Sequence, residues 1–300
     1  MNKIDEISIQ GFKSIRSLDK LQLNNLNVLI GANGAGKSNF VSYFRMLHEL
    51  VEGRLQVWTS KQGGADRVLS YGVKETQKLH TTIRFGVNGY SADLEPTTGD
   101  NFTFSSERLY FDGPFFGVTE PNLAAYLFKL QCENSEVYAQ ICKTVRLAVP
   151  FFDDFVLKPI QLASGEEQIR LLWKQADSDY PLWPSQLSDG SIRFICLVTT
   201  LLQPNPPSTI IIDEPELGLH PYAITLLGAL LRSASKRMQV IVSTQSVPLL
   251  NEFELDDLIV VEREEGASTF KRLDADKFCT WLDNYSVGEL WEKNIIGGRP

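Results

Sequence analysis

The chain has no pair of cysteines at Cys-x-x-Cys spacing. Its four cysteines, Cys132, Cys142, Cys196 and Cys279, each stand in an apolar or helical setting. They read as reduced structural thiols of a reducing compartment. Positive charge is in deficit: 29 Lys and Arg face 37 Asp and Glu, a formal net charge of −8. That balance argues against a general polyanion binder and lends no support to a basic strip. No apolar signal region follows Met1-Asn2-Lys3-Ile4-Asp5-Glu6. The longest apolar run, Phe194 to Leu202, is too short to span a bilayer and holds two threonines. A soluble cytoplasmic protein without a membrane partner is expected. No heptad pattern is sustained, so no long coiled coil is expected, and there are no internal repeats or low-complexity segments. What remains is 300 residues at 43% hydrophobic, enough for a full core in one large domain or a domain with a lobe.

The chain is organised around Val28 to Phe40. The apolar run Val28-Leu29-Ile30 stops at Gly31, and Gly31-Ala32-Asn33-Gly34-Ala35-Gly36-Lys37-Ser38 fits G-x-x-x-x-G-K-[ST] at every fixed position. A helical pattern follows, with Phe40, Phe44, Leu47 and Leu50 on one face. Strand, glycine-rich loop and helix are the context this motif requires. Glycines let successive backbone N–H groups turn in around a phosphate, and the helix adds its positive end. Lys37 is expected at the β- and γ-phosphates and the Ser38 hydroxyl on Mg²⁺. The sequence is therefore expected to bind a nucleoside triphosphate.

Before this loop, Ile4, Ile7 and Ile9 alternate with polar residues, Gly11-Phe12-Lys13-Ser14-Ile15 makes a turn, and a second strand covers 15–23. After it, 79–88 and 90–95 read as a hairpin about Asn88-Gly89, with further strands at 101–104 and 108–111. The texture changes at Pro114. Helices are expected from Glu120, with Pro121 in the first turn, and from Ser135 as N-cap to Val149. Strands at 155–162 and 168–174 follow, then a helix opening at Leu187-Ser188-Asp189-Gly190-Ser191. A helical insert of about thirty residues thus lies between two halves of a β-rich and α/β core.

Thr209-Ile210-Ile211-Ile212-Asp213-Glu214 reads as a buried parallel strand ending in carboxylates. Asp213 is placed to hold Mg²⁺, and Glu214 to polarise the attacking water as general base. A helix follows from Pro221, then the strand Val240-Ile241-Val242 into Ser243-Thr244-Gln245-Ser246, and a last hairpin about Glu265-Gly266. Ser188 and Gly190 by themselves suit an ordinary helix N-cap or a second anion site.

Taken in order, these parts resemble an ABC-type ATPase head of the RecF/SMC-like branch, the bacterial AAA-family ATPases. Gly11 to Ile15, Gly31 to Asn39, Leu187 to Phe194, Ile210 to Pro221 and Val242 to Ser246 carry the resemblance, with Leu290 to Pro300 at the close. It implies an α/β P-loop NTPase with a mixed β N-terminal lobe: one domain over 1–300, with core lobes at 1–113 and 151–300 and the insert at about 114–150. It also implies ATP and Mg²⁺, and a head-to-tail homodimer with ATP in the interface. Ser188 and Gly190 of one copy would meet the γ-phosphate held by Lys37 of the other, and Glu216 to His220 would cross between them. His220 itself suits interface packing better than catalysis. Where the family usually carries histidine, this sequence has Gln245, which can bond a γ-phosphate or water but takes no charge. The Q-loop glutamine is not assigned; spacing does not separate Gln62 from Gln168. DNA repair, defence against foreign DNA, or ATP-dependent control of a separate effector such as a nuclease are the implied roles. Lys13, Arg16 and Arg84 suit a solvated strand edge better than a DNA-facing or adenine-facing one. Asp256-Asp257 and Asp274-x-Asp276 read as turn acids rather than an added nuclease.

Overall fold

A computed structural model of the chain describes residues 3–110, 123–161 and 167–298. The first half runs β1 (Glu6–Phe12), β2 (Ile15–Gln22), β3 (Leu26–Ile30), α1 (Lys37–Val51), α2 (Leu55–Gln62), α3 (Ala65–Val68), β4 (Leu79–Phe85), β5 (Asn88–Pro96) and β6 (Phe102–Tyr110). Then come α4 (Leu123–Glu133), α5 (Ser135–Ala148), β7 (Phe152–Gln161), β8 (Glu167–Gln175), α6 (Asp189–Leu202), β9 (Thr209–Asp213) and α7 (Pro221–Ala234). The chain continues through β10 (Gln239–Ser243), α8 (Val247–Leu250), β11 (Leu258–Glu264), β12 (Ala267–Arg272), α9 (Cys279–Leu282) and α10 (Val287–Glu292).

Packing divides the chain into two units: Met1–Pro114 with Ser208–Glu214 and Met238–Pro300, and Phe115–Pro207 with Pro215–Arg237. This partition differs from an insert at 114–150 between lobes. Residues 151–207 and 215–237 fall with the helices, because β7 and β8 pack on α4, and α6 and α7 pack on α5.

The first unit contains two five-stranded sheets. One is antiparallel in the order β2-β1-β4-β5-β6; the other runs β12-β11-β3-β10-β9. In the second sheet β11, β3, β10 and β9 are parallel, and β12 pairs antiparallel with β11. All five residues of the central β3 are buried, as expected of a parallel strand covered on both faces. α1 belongs to the core that both sheets share: Phe40, Tyr43 and Met46 are fully buried in a cluster with Ile7, Ile9 and Leu29. Phe44, Leu47 and Leu50 are packed only partly against it. The buried stripe of α1 is thus centred one residue away from the expected face, and Tyr43 meets Phe12 edge-to-face with ring centroids 5.7 Å apart.

In the second unit β7 and β8 form an antiparallel hairpin. Phe152 and Phe155 of β7 have ring centroids 4.7 Å apart, and Trp173 of β8 stacks on Phe152.

Four expectations need correcting. The hairpin joining β4 to β5 turns at Gly86-Val87, because Phe85 pairs with Asn88 and Arg84 with Gly89. Gly86 supplies the positive φ of 59° that a two-residue turn requires, which leaves Asn88-Gly89 within a strand. The two strands expected at 101–104 and 108–111 are, over the described residues, one continuous β6 ending at Tyr110. β9 pairs with β10 alone among the described strands and is half-buried along its whole length, so it is an edge and not an interior strand. The cap of α5 is Asn134, whose side chain accepts from the Val137 N–H at 3.3 Å; Ser135 is the first helical residue. The texture change at Pro114, the helix start at Glu120-Pro121 and the final Pro300 lie outside the described residues. Among the described residues no helix is long and apolar enough to cross a membrane.

The cap assignment is directly checkable. Asn134→Ala should lower unfolding stability by about 1 kcal/mol in a denaturant melt, while Ser135→Ala should change it by roughly a tenth of that. A larger loss in Ser135→Ala than in Asn134→Ala would return the cap to Ser135.

Candidate nucleotide site

The site is built on the C-terminal ends of β3, β9 and β10. β3 delivers the chain to Gly31, and α1 begins at Lys37 after a left-handed Gly36 at φ 119°. The close fit explains two of the glycines. A Cβ on Gly31 would collide with the Val261 carbonyl, and one on Gly36 with the Ser268 hydroxyl. Lys37 is 4% exposed. Its ammonium turns back over the loop, donating to the Gly31 carbonyl at 2.6 Å and the Ala32 carbonyl at 3.0 Å. Ser38 is exposed on the first turn of α1, and Asn39 donates to the Ser14 hydroxyl at 2.6 Å.

Parallel pairing sets Asp213 beside Ser243. The Ser243 hydroxyl donates to Asp213 Oδ1, and the Glu214 N–H donates to the Ser243 carbonyl at 2.9 Å. Glu214 holds a left-handed φ of 47°, a conformation that costs a non-glycine residue of order 1–3 kcal/mol and recurs at functional positions. The next residues tie the other side: the Thr244 N–H donates to the Leu29 carbonyl at 3.0 Å. The Gln245 side-chain amide then donates to Asn33 Oδ1 at 2.6 Å and to Glu214 Oε1 at 3.2 Å. Residues 33, 214 and 245 are thus joined through one amide. Ser38 and Asp213 provide hard oxygen donors, the class that suits Mg²⁺, and the Ser243 hydroxyl orients the carboxylate as an outer partner does. Among the described residues no group of three or more His, Cys, Asp or Glu could hold a metal ion by itself.

The loop is braced by residues that sequence reasoning missed. The Ser268 hydroxyl donates to the Ala35 carbonyl and lies within hydrogen-bond distance, 2.7 Å, of the Ser14 hydroxyl, while the Ser268 N–H donates to the Ser14 carbonyl at 2.8 Å. Ser268 is a plain serine in a terminal hairpin, and nothing in the local pattern marks it. Lys13 points the other way, donating to Ser42 at 2.8 Å and Gln62 at 3.0 Å with its ammonium near the Phe12 and Trp58 rings. Burial and then the Arg45 charge pull its pKa below the ordinary lysine value. Gln62 is therefore engaged in this structural cluster, and Gln168 lies in β8 opposite Ile160. Arg16 and Arg84 make exposed ion pairs with Glu75 and Glu6, each at 3.4 Å. Beside the loop a cavity of about 480 Å³ is lined by Asn33, Gly34, Val261, Arg263 and Gly298 among others. The Arg263 guanidinium reaches the Gly34 carbonyl at 3.5 Å.

Ser188 and Gly190 belong to the second unit. Ser188 caps α6, its hydroxyl accepting from the Ser191 N–H at 3.1 Å. Gly190 has a second reason to lack a side chain: a Cβ there would strike the Gly218 carbonyl. The α6 start and the Glu216–His220 segment are therefore in backbone contact. His220 caps α7, accepting from the Tyr222 N–H at 3.3 Å.

Set beside solved structures, this arrangement has the fold of SMC head domains. The head of an Smc bound to the C-winged helix domain of ScpA aligns with a TM-score of 0.67 at 14% identity, over 93% of this chain and 99% of that one. The Pyrococcus furiosus Smc head with an extended coiled coil, bound to the C-terminal domain of ScpA, gives 0.64 at 14% over 94% and 99%. The Thermotoga maritima SMC head gives 0.52 at 15% over 91% and 99%. The fold class is thus the α/β P-loop head of SMC-like ABC-type ATPases. A search of curated protein sequences finds no match. The family model described as "AAA domain, putative AbiEii toxin, Type IV TA system" matches residues 101–251, and the chain belongs to that family. The matched span holds Ser188, Asp213 and Gln245 but not the glycine-rich loop, whose reading stands on its own geometry.

The brace makes a clear prediction. Ser268→Ala should weaken ATP binding by about fivefold in calorimetry, the worth of roughly 1 kcal/mol of hydrogen bonding, with little change in melting temperature. An unchanged Kd would show that the loop keeps its shape without Ser268.

Proposed function

We propose that this protein is a cytoplasmic ATPase head that binds ATP with Mg²⁺, closes as a head-to-tail homodimer around it, and hydrolyses it slowly. The observation that carries the reading is the Gln245 amide joining Asn33 of the glycine-rich loop to Glu214. It ties the phosphate-binding segment to a carboxylate suited to act as base. The loop N–H groups from Gly34 to Ser38, with Asn39, cradle the phosphates, and Lys37 exchanges its loop carbonyls for β- and γ-phosphate oxygens. Ser38 and Asp213 would hold the cation, which would supply positive charge to offset that of the phosphate oxygens. Glu214 takes a proton from the water that attacks the γ-phosphorus, the bond to the β-phosphate oxygen breaks, and ADP and phosphate leave. Gln245 orients water or γ-phosphate but remains neutral, so this step gains no charge from it. The partner copy's contribution, through its own Ser188 hydroxyl and the N-terminal end of its α6, completes the γ-phosphate shell.

For the cellular role, defence against foreign DNA or DNA repair is the first reading, and the toxin–antitoxin wording of the family description leans toward defence. The second reading is an ATP-sensing subunit that controls a separate effector such as a nuclease, without binding DNA itself. Two observations favour it: the net charge of −8, and short helices of 11 and 14 residues in the region where SMC proteins carry a coiled-coil arm. Salt-sensitive DNA affinity separates the two.

The dimer is tested first. Glu214→Gln should cut turnover by two to four orders of magnitude, the usual worth of a positioned base, and with ATP should double the mass seen by light scattering. Ser188→Arg in that background should restore the monomer. A Glu214→Gln protein that binds ATP yet stays monomeric at high concentration would remove the trans role of Ser188 and Gly190.

A further inference from the structure

Residues 286–298 return to the candidate site at two places. α10 packs on α8, the helix that continues from the end of β10 just past Gln245. The Gly288 N–H donates to Asn251 Oδ1 at 2.8 Å. A Cβ on Gly288 would collide with Asn251 and Val247, so the two helices meet at backbone distance. Beyond α10, the Gly298 N–H donates to Glu262 Oε1 at 2.8 Å. A Cβ on Gly298 would crowd Val260 and the Gly31 backbone, so the segment closes against the entrance of the glycine-rich loop.

The stretch between these two contacts is stiff. Ser286 and Glu289 form a capping box at the start of α10: the Ser286 N–H donates to Glu289 Oε2 at 2.8 Å, and the Ser286 hydroxyl accepts from the Glu289 N–H at 3.4 Å. Asn294, at a left-handed φ of 56°, follows the helix end, and the Ile295 N–H donates to the Leu290 carbonyl at 2.9 Å. Val287, Leu290, Trp291 and Ile296 are buried. A short helix closed at both ends and anchored by apolar side chains transmits a displacement instead of absorbing it.

Each contact stands close to a residue of the site. Asn251 closes α8, whose N-cap Ser246 follows Gln245 directly. The Ser246 hydroxyl accepts from the Leu249 N–H at 3.4 Å, and the Asn251 N–H donates to the Val247 carbonyl at 3.1 Å. Because α8 is a single turn, a shift of Asn251 carries Gln245 with it. On the other side, Val260 pairs with Ile30, the last residue of β3, and Glu262 lies two residues further on. Val261 between them presses its carbonyl on Gly31. Apolar burial would be enough to dock a tail. Two directional hydrogen bonds, each to the N–H of a glycine, also fix where its ends lie.

We propose that residues 286–298 are a positioning clasp for the candidate site, with two separable fastenings. The Glu262–Gly298 bond sets the entrance of the glycine-rich loop at Gly31. The Asn251–Gly288 bond sets Gln245 through α8. Glu262 and Asn251 are positioning residues, acting on phosphate binding and on hydrolysis respectively. The assignment of those two roles rests on reading residues 31–38 as a triphosphate site.

The test uses the full chain with Glu262→Ala, Glu262→Gln, Asn251→Ala and Asn251→Asp; the second of each pair keeps the acceptor oxygen. Backbone amide exchange is first followed by mass spectrometry without nucleotide. Glu262→Ala should speed exchange across residues 31–40 about fivefold and leave residues 244–250 unchanged, and Asn251→Ala should do the reverse. With ATP, Glu262→Ala should weaken binding about fivefold at unchanged kcat, and Asn251→Ala should lower kcat about fivefold at unchanged Kd. Glu262→Gln and Asn251→Asp should match the unaltered chain in every measurement. Exchange that rises evenly over the whole chain with a lower melting temperature, or that changes in neither segment, overturns the clasp and leaves the tail as ordinary packing. Segment-specific exchange without the split between Kd and kcat overturns the two positioning roles. An unaltered chain that neither binds nor hydrolyses ATP removes the triphosphate reading and those roles with it, while the exchange result still decides for or against the clasp.

Discussion

The register between β3, β10 and β9 is the constraint on which the candidate site depends. Val242 pairs with Val28 on one side and Ile212 on the other, and the next pair sets Ser243 between Leu29 and Asp213. Side chains alternate faces along a strand, so a slip of one residue would invert every partner. In the observed register the Ser243 hydroxyl meets the Asp213 carboxylate, and Gln245 emerges level with Asn33 and Glu214. Buried side chains hold this alignment: every residue of β3 and β10 is buried. Most of the sheet is thus ordinary packing, and the chemistry lies where its strands end.

A second constraint is that the loop is enclosed on its outer side by parts of the chain far from it in sequence. Val261 presses on Gly31, Ser268 presses on Gly36, and Gly298 approaches both Gly31 and Glu262, to which its N–H donates at 2.8 Å. An anion cradle made of backbone N–H groups must keep its shape before the anion arrives, since otherwise binding would bear the cost of ordering it. Here the last hairpin and the Gly297-Gly298 segment provide that order. The buried ammonium of Lys37, resting on loop carbonyls, occupies the cradle from within.

Local signals and contact-driven features separate cleanly in this chain. The phosphate loop, the carboxylate pair at the end of β9 and the cap at Ser188 were legible because each is a short motif whose chemistry is carried by neighbouring residues. Asn88-Gly89 is the stronger turn signal in isolation, while cross-strand pairing with β1 and β6 sets the turn two residues earlier, at 86–87. Asn134 and Ser135 are both good caps by residue type, and only the folded backbone distinguishes them. The β-branched run at 209–213 resembles an interior strand in composition, yet its place at the sheet edge is a matter of topology that composition does not encode.

By itself, then, the sequence determined that β3, a glycine-rich turn and α1 would follow one another, because spacing and residue type suffice for that geometry. It also determined the carboxylates that follow a buried-looking strand. Only the tertiary structure decided which distant groups meet at the candidate site: Ser243 on Asp213, Gln245 between Asn33 and Glu214, and Ser268 under Ala35. The physical reason is that these contacts join residues up to 233 positions apart. At that separation no local propensity acts, and only the packing of sheets and helices brings hydrogen-bonding partners within reach.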